Sequence, residues 1–195
     1  MTASSVFFEA VLAIATGVSV LWLWRAGLRA CGFGLSFVGL AAALGALLFA
    51  GFTAVDAGHA AITHWAAVAG FPAFGGFALW RCFRGEPAWP AALLLVVALG
   101  LLGAALPGAT YPLAIGSLGL LCLLLVAFVQ LKNAPRNSAV LLLACALTAL
   151  AGLLIGTEGQ WGPLPRVDWY HLALTAANLG FGWALSRAKM GKYAR

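Results

Sequence analysis

Among the residue types that bind metals or move protons, five side chains stand out by their spacing: His59, His64, His171, Asp56 and Asp168. They fall in two segments with a shared pattern. Asp56-Ala57-Gly58-His59-Ala60-Ala61-Ile62-Thr63 and Asp168-Trp169-Tyr170-His171-Leu172-Ala173-Leu174-Thr175 both read D-x-x-H-x-A-x-T. In a helix, Asp and His three residues apart, and His and Thr four apart, stand on one face. Each segment therefore offers an Asp–His–Thr stripe, and two such stripes could oppose each other across a site. On this reading Asp56 and Asp168 are the candidate catalytic acids or bases, and His59, His64 and His171 are the candidate metal ligands. Thr63, Thr175 and Glu9 are the candidates for supporting hydrogen bonds.

Three imidazoles beside a carboxylate suit a catalytic zinc with water in its open position. Aspartate and histidine can also relay protons without a metal, and two histidines on separate helices can ligate a haem iron axially. The spacing leaves these open, in that order of fit. His64 complicates the set. It lies five residues beyond His59, about 7.5 Å further along a helix and about 140° round it, so both reach one site only if the first turn is unwound. A plainer role exists for the same residues: an Asp ahead of an apolar run caps a helix and complements its dipole, and a His one turn later anchors it at a membrane interface.

The elements that must position these groups are read from the apolar runs. Of 195 residues 64% are hydrophobic and 8% charged, against about 25% charged in soluble domains, so a water-facing surface is missing. Long apolar stretches broken by charge, Pro and Gly predict seven spans at about 6–24, 32–54, 58–80, 90–106, 109–131, 137–156 and 168–186. The fold class expected is an all-α transmembrane bundle, one domain over 1–195. The weakest break is Leu106-Pro107-Gly108, a tight turn without charge. Met1 to Ala10 holds no Lys or Arg and reads as the start of a retained first helix, not a signal peptide. The four cysteines, Cys31, Cys82, Cys122 and Cys145, form no CxxC pair, so neither disulfide nor cysteine–zinc chemistry is indicated.

With seven spans the loops alternate in charge. Arg25, Arg29, Arg81, Arg84, Lys132, Arg136, Arg187, Lys189, Lys192 and Arg195 fall on one side, and Arg166 alone of the eleven basic residues on the other. The positive-inside rule makes the first side cytoplasmic and the N-terminus external. The net charge of +6 is thereby a topology signal, with no aromatic–basic interleaving of the nucleic-acid kind. Every histidine and four of the five acids gather at the outer ends, so any site belongs there. Trp161, Trp169, Tyr170 and Tyr111 form the outer aromatic belt and Trp22, Trp24, Trp80 and Trp89 the inner one. The stretch Gly70-Phe71-Pro72-Ala73-Phe74-Gly75-Gly76 predicts a kink with close packing, opening space towards the histidines. The outer loop from Thr157 to Val167 is a candidate lid.

The Asp168-Trp169-Tyr170-His171 opening of the last span, with seven spans and an external N-terminus, resembles the alkaline ceramidase-like superfamily of seven-span membrane hydrolases. The resemblance implies a zinc on three histidines and hydrolysis of amide or ester bonds in lipids. It covers the architecture and one short motif. Two positions depart: the family's second histidine of the last span is Thr175 here, and the end of span two, Gly45 to Phe52, holds no histidine. Three function classes follow for a multi-pass protein of the cell membrane, in a bacterium the inner one. They are a zinc-dependent hydrolase of lipid-like substrates, a non-enzymatic scaffold or subunit with a membrane-protein partner, and a small transporter or proton pathway.

Overall fold

The computed structural model describes residues 3–106, 108 and 110–188. Seven helices run in sequence: α1 Ala3–Arg25, α2 Arg29–Phe49, α3 Thr53–Phe83, α4 Trp89–Ala105, α5 Thr110–Gln130, α6 Pro135–Ile155 and α7 Arg166–Arg187. A two-stranded antiparallel ribbon, β1 Gln160–Trp161 with β2 Leu164–Pro165, joins α6 to α7. The predicted runs differ from these helices by a few residues at their ends. Pro107 of the predicted tight turn lies outside the described residues, as do Lys189, Lys192 and Arg195. Gly108 of that turn has φ 112°, open to glycine at no steric cost.

Five helices, α1, α2, α3, α5 and α6, are long and apolar enough to cross a membrane. The chain is a polytopic membrane protein. The other two fall short for opposite reasons. Helix α4 is apolar throughout but has 17 residues, about 25 Å of helix against a hydrocarbon core of about 30 Å. Helix α7 has 22 residues but carries Asp168, His171, Thr175 and Asn178 along its length, which lowers its hydropathy. Its polar side is buried by neighbours, so the polarity never meets lipid.

Six helices close a ring, each touching the next in the order α1, α2, α3, α5, α6, α7 and back to α1. Helix α4 stands outside it against α3. Large apolar side chains point outward, among them Leu94, Leu101, Leu113, Phe128, Leu143 and Leu153. That is the surface a lipid-facing helix needs. Inside, the packing is close: a Cβ on Gly75 of α3 would collide with the backbone of Gly119 on α5, so the predicted close approach along the glycine-rich stretch is present.

The predicted distortion of α3 is present as a π-helical turn, Ala66–Gly70, in which the Phe71 N–H reaches back to Ala66 O. Pro72 follows it and can donate no hydrogen bond, which accounts for a change of winding at this point. A second π turn, Ala151–Ile155, ends α6. We call the end holding the first turns of α1, α3, α5 and α7 the histidine end, and the opposite one the arginine end.

Candidate functional site

The first and last helices meet along a polar seam. Of the ten buried polar or charged residues among those described, four lie on α1 (Ser5, Glu9, Thr16 and Ser19) and four on α7 (Asp168, His171, Thr175 and Asn178). The helices run parallel, and their groups pair rung by rung. Ser4 Oγ and Ser5 Oγ donate to the two Asp168 carboxylate oxygens at 2.6 and 2.8 Å. One turn deeper, His171 Nε2 lies 3.3 Å from Glu9 Oε1. Deeper again, Asn178 Nδ2 donates to Thr16 Oγ1 at 2.8 Å, and Ser19 Oγ reaches Asn178 O at 2.9 Å. Below this the seam is apolar, with Leu23 and Leu185 buried.

The sequence carries this seam in a spacing that the D-x-x-H pattern only samples. On α1, Ser5, Glu9, Leu12, Thr16, Ser19 and Leu23 alternate four and three residues apart, and on α7 Asp168, His171, Thr175, Asn178, Gly182 and Leu185 alternate three and four. That repeat keeps one stripe on a partner helix. Ser4, Ser5, Thr16 and Ser19 are absent from the candidates drawn from the D-x-x-H pattern; the alternation is the signal that could have found Ser5, Thr16 and Ser19, while Ser4 lies off it.

The seam borders a cavity of about 420 Å³ in the half of the ring towards the histidine end, through Glu9, His171 and Asn178. All six ring helices contribute to its wall, which is mostly apolar or small and includes Leu12, Val38, Ala42, Ala66, Gly116 and Leu174. Its polar atoms come from Glu9 of α1, His59 and Thr63 of α3, Thr148 of α6, Thr157, and Tyr170, His171 and Asn178 of α7. Glu9 and His59 converge at Gly45 of α2: a Cβ there would lie 2.5 Å from Glu9 Oε1 and 3.2 Å from His59 Nε2. The missing side chain makes room for a carboxylate and an imidazole from two other helices.

The sequence candidates therefore separate. Glu9, read as a supporting residue, is central: it is 4% exposed, touches His171 and lines the cavity. His59 and His171 both line the cavity, and so does Thr63. Asp168 is fully buried and held by two serines in the seam, outside the cavity wall. Thr175 is buried beneath His171 and likewise outside the wall. Asp56 and His64 are exposed and do not reach the cavity; His64 faces away from His59, as the helical rotation between them requires. Neither aspartate acts as a side-chain cap: the N-cap of α7 is Pro165, and Val55 precedes the α-helical turn that begins at Asp56. Tyr170, assigned to the aromatic belt, lines the cavity.

The expected lid region is tied down. Arg166 donates to Leu154 O at 2.6 Å, and Trp169 Nε1 donates to Trp161 O at 3.0 Å, which pins the ribbon over the ends of α6 and α7. Thr157 and Val167, at its two ends, border the cavity.

Glu9 and His171 bring a carboxyl and an imidazole into contact in a site lined by hydrocarbon, a pair of groups able to exchange a proton. Two further polar atoms next to it, His171 Nδ1 and Thr175 Oγ1, are buried with no hydrogen-bond partner among the described residues. Zinc does not fit the arrangement: among the described residues no group of three or more His, Cys, Asp and Glu is placed to hold a metal ion. His64 is turned away and Asp168 is already occupied. Comparison with family models, with curated proteins and with solved structures gives no match for this chain.

Proposed function

We propose that this protein crosses the membrane seven times with its N-terminus outside, and that its outer-half cavity binds a lipid-like molecule. The polar group of that molecule lies against the Glu9–His171 couple, with His59 opposite, and the couple supplies acid–base chemistry to it without a metal. The observation that carries the reading is the combination in one cavity: an apolar wall drawn from six helices, and a buried carboxyl–imidazole contact at its polar end. Small-molecule sites have this character, mostly apolar with a few convergent polar groups in about 300–1,000 Å³. A buried ionisable pair in a membrane bundle is costly and marks function by default.

The likeness to ceramidase-like hydrolases supports this reading in its seven helices and its D-x-x-H opening of the last helix. It departs in the zinc set, so the chemistry is assigned to the Glu9–His171 couple instead. A through-path for protons is disfavoured because the polar seam stops at Leu23 and Leu185.

The test uses Gly116, which lines the cavity and whose Cβ would meet nothing within 4 Å. Gly116→Leu therefore fills the cavity without a backbone clash and raises helix propensity by about 1 kcal/mol. Lipids are extracted from the detergent-purified full chain and identified by mass spectrometry. The wild type should retain one amphipathic species enriched over bulk lipid, and Gly116→Leu should fold normally and lose it. Equal retention by the two proteins would overturn the reading.

A further inference from the structure

At the arginine end, the turn between α1 and α2 and the segment between α3 and α4 form the walls of a groove of about 760 Å³. It is lined by Leu21, Trp24, Arg25, Arg29, Glu86, Pro87 and Trp89. The two walls are joined: Glu86 Oε1 accepts from the Ala30 backbone N–H at 2.7 Å, and Trp89 meets Phe33 edge to face with ring centroids 5.0 Å apart. Glu86 is the one acid in the groove. Its other oxygen lies 3.9 Å from Arg81 Nε, so its charge is taken up by α3 and the end of α2. Arg25 and Arg29 remain exposed, with no ion-pair partner among the described residues. Trp24 and Trp89 flank them, each about half exposed. Gly32 sets the first of these in place, since a Cβ there would collide with the Trp24 indole.

We propose that this groove is a binding site for one anionic phospholipid of the cytoplasmic leaflet, with Arg25 and Arg29 gripping its phosphodiester. Guanidinium groups match phosphate oxygens in a planar fork. Indole rings at this depth pack on the glycerol and the upper acyl chain, and Leu21 continues the wall towards the hydrocarbon. Basic pockets between spanning helices on the cytoplasmic side have the chemistry for anionic headgroups. The occupant is a lipid rather than free phosphate because half of the lining is apolar and faces the bilayer. This site is at the opposite end from the Glu9–His171 cavity and stands or falls independently of it.

Native mass spectrometry of the detergent-purified full chain tests it, with phosphatidylglycerol or phosphatidylcholine titrated in. Phosphatidylglycerol should be retained as one adduct and phosphatidylcholine should not. The Arg25→Gln/Arg29→Gln pair should weaken retention about twenty-five-fold, at about fivefold for each arginine near an anionic surface. Arg84→Gln, which removes one positive charge on the same side outside the groove, should change nothing. Because Arg25 and Arg29 also direct insertion, Arg25→Lys/Arg29→Lys serves as the second variant: it keeps the topological charge, loses the fork, and should show a clear loss of retention. Equal retention of the two lipids, an Arg84→Gln effect equal to that of the groove pair, displacement by inorganic phosphate, or wild-type retention in the lysine pair would each overturn the proposal.

Discussion

The two D-x-x-H-x-A-x-T segments have the same letters and opposite fates. On α7, Asp168 is fully buried and bonded to two serines, His171 is buried against Glu9, and Thr175 is buried beneath it. On α3, Asp56 and Thr63 are exposed and His59 is half-buried. The difference is the neighbour. Helix α7 runs beside α1, whose serines, Glu9 and Thr16 repeat at matching intervals, so Asp168, His171 and Asn178 each find a partner there. Helix α3 meets α2, which is apolar along the contact, and His59 stands opposite Glu9 across the gap left by Gly45. A motif in a membrane helix thus becomes a seam or a surface according to what the adjacent helix offers it.

Three substitution pairs sharpen this contrast. The largest effect is expected at the aspartates. Asp168→Ala removes the acceptor of two hydrogen bonds and leaves two hydroxyls in the seam without it, which should cost about 3 kcal/mol, whereas Asp56→Ala should stay within about 0.5 kcal/mol. Reversible unfolding in mixed micelles measures both, and equal costs would mean that the seam is not what holds α7 to α1. Next come the histidines. His171→Ala leaves Glu9 buried without its partner, at a cost of about 2 kcal/mol, and His59→Ala should cost under about 1 kcal/mol. A double-mutant cycle should find coupling of Glu9 to His171 and little to His59. Coupling of similar size to both would make the three residues one cluster and restore a three-centre site. The smallest effect is at the threonines. Thr175 Oγ1 is buried and unpartnered, so Thr175→Val should stabilise the ligand-free protein by about 1 kcal/mol. Thr63→Val should leave stability unchanged, and a destabilised Thr175→Val would show that its hydroxyl has a partner when the site is filled.

The same contrast marks what could be read in advance. The helix positions were legible because burial in lipid demands long unbroken apolar runs, and the runs ended where Arg, Pro and Gly stand. The gathering of Glu9, His59 and His171 at one end was legible too, since it follows from alternating helix direction alone. The choice among the candidates was not. Glu9 precedes His171 by most of the chain, and nothing in either segment names the other. Asp168 and Asp56 look alike as letters, and so do His59 and His64 as neighbours, until rotation about the helix axis and the identity of the facing helix divide them.

By itself, then, the sequence determined the number and approximate limits of the apolar helices, because hydrocarbon tolerates so few alternatives for a polar backbone. It also determined which end of the bundle holds the titratable groups. Only the tertiary structure decided that the ring closes by α1 meeting α7, that Glu9 rather than either aspartate stands in the cavity, and that Asp168 holds helices together instead of facing a ligand. The physical reason is that helices in a bilayer gain little by hiding apolar surface from one another. Partner choice falls to small residues and to polar groups that must find each other, and such pairings cross the whole length of the chain.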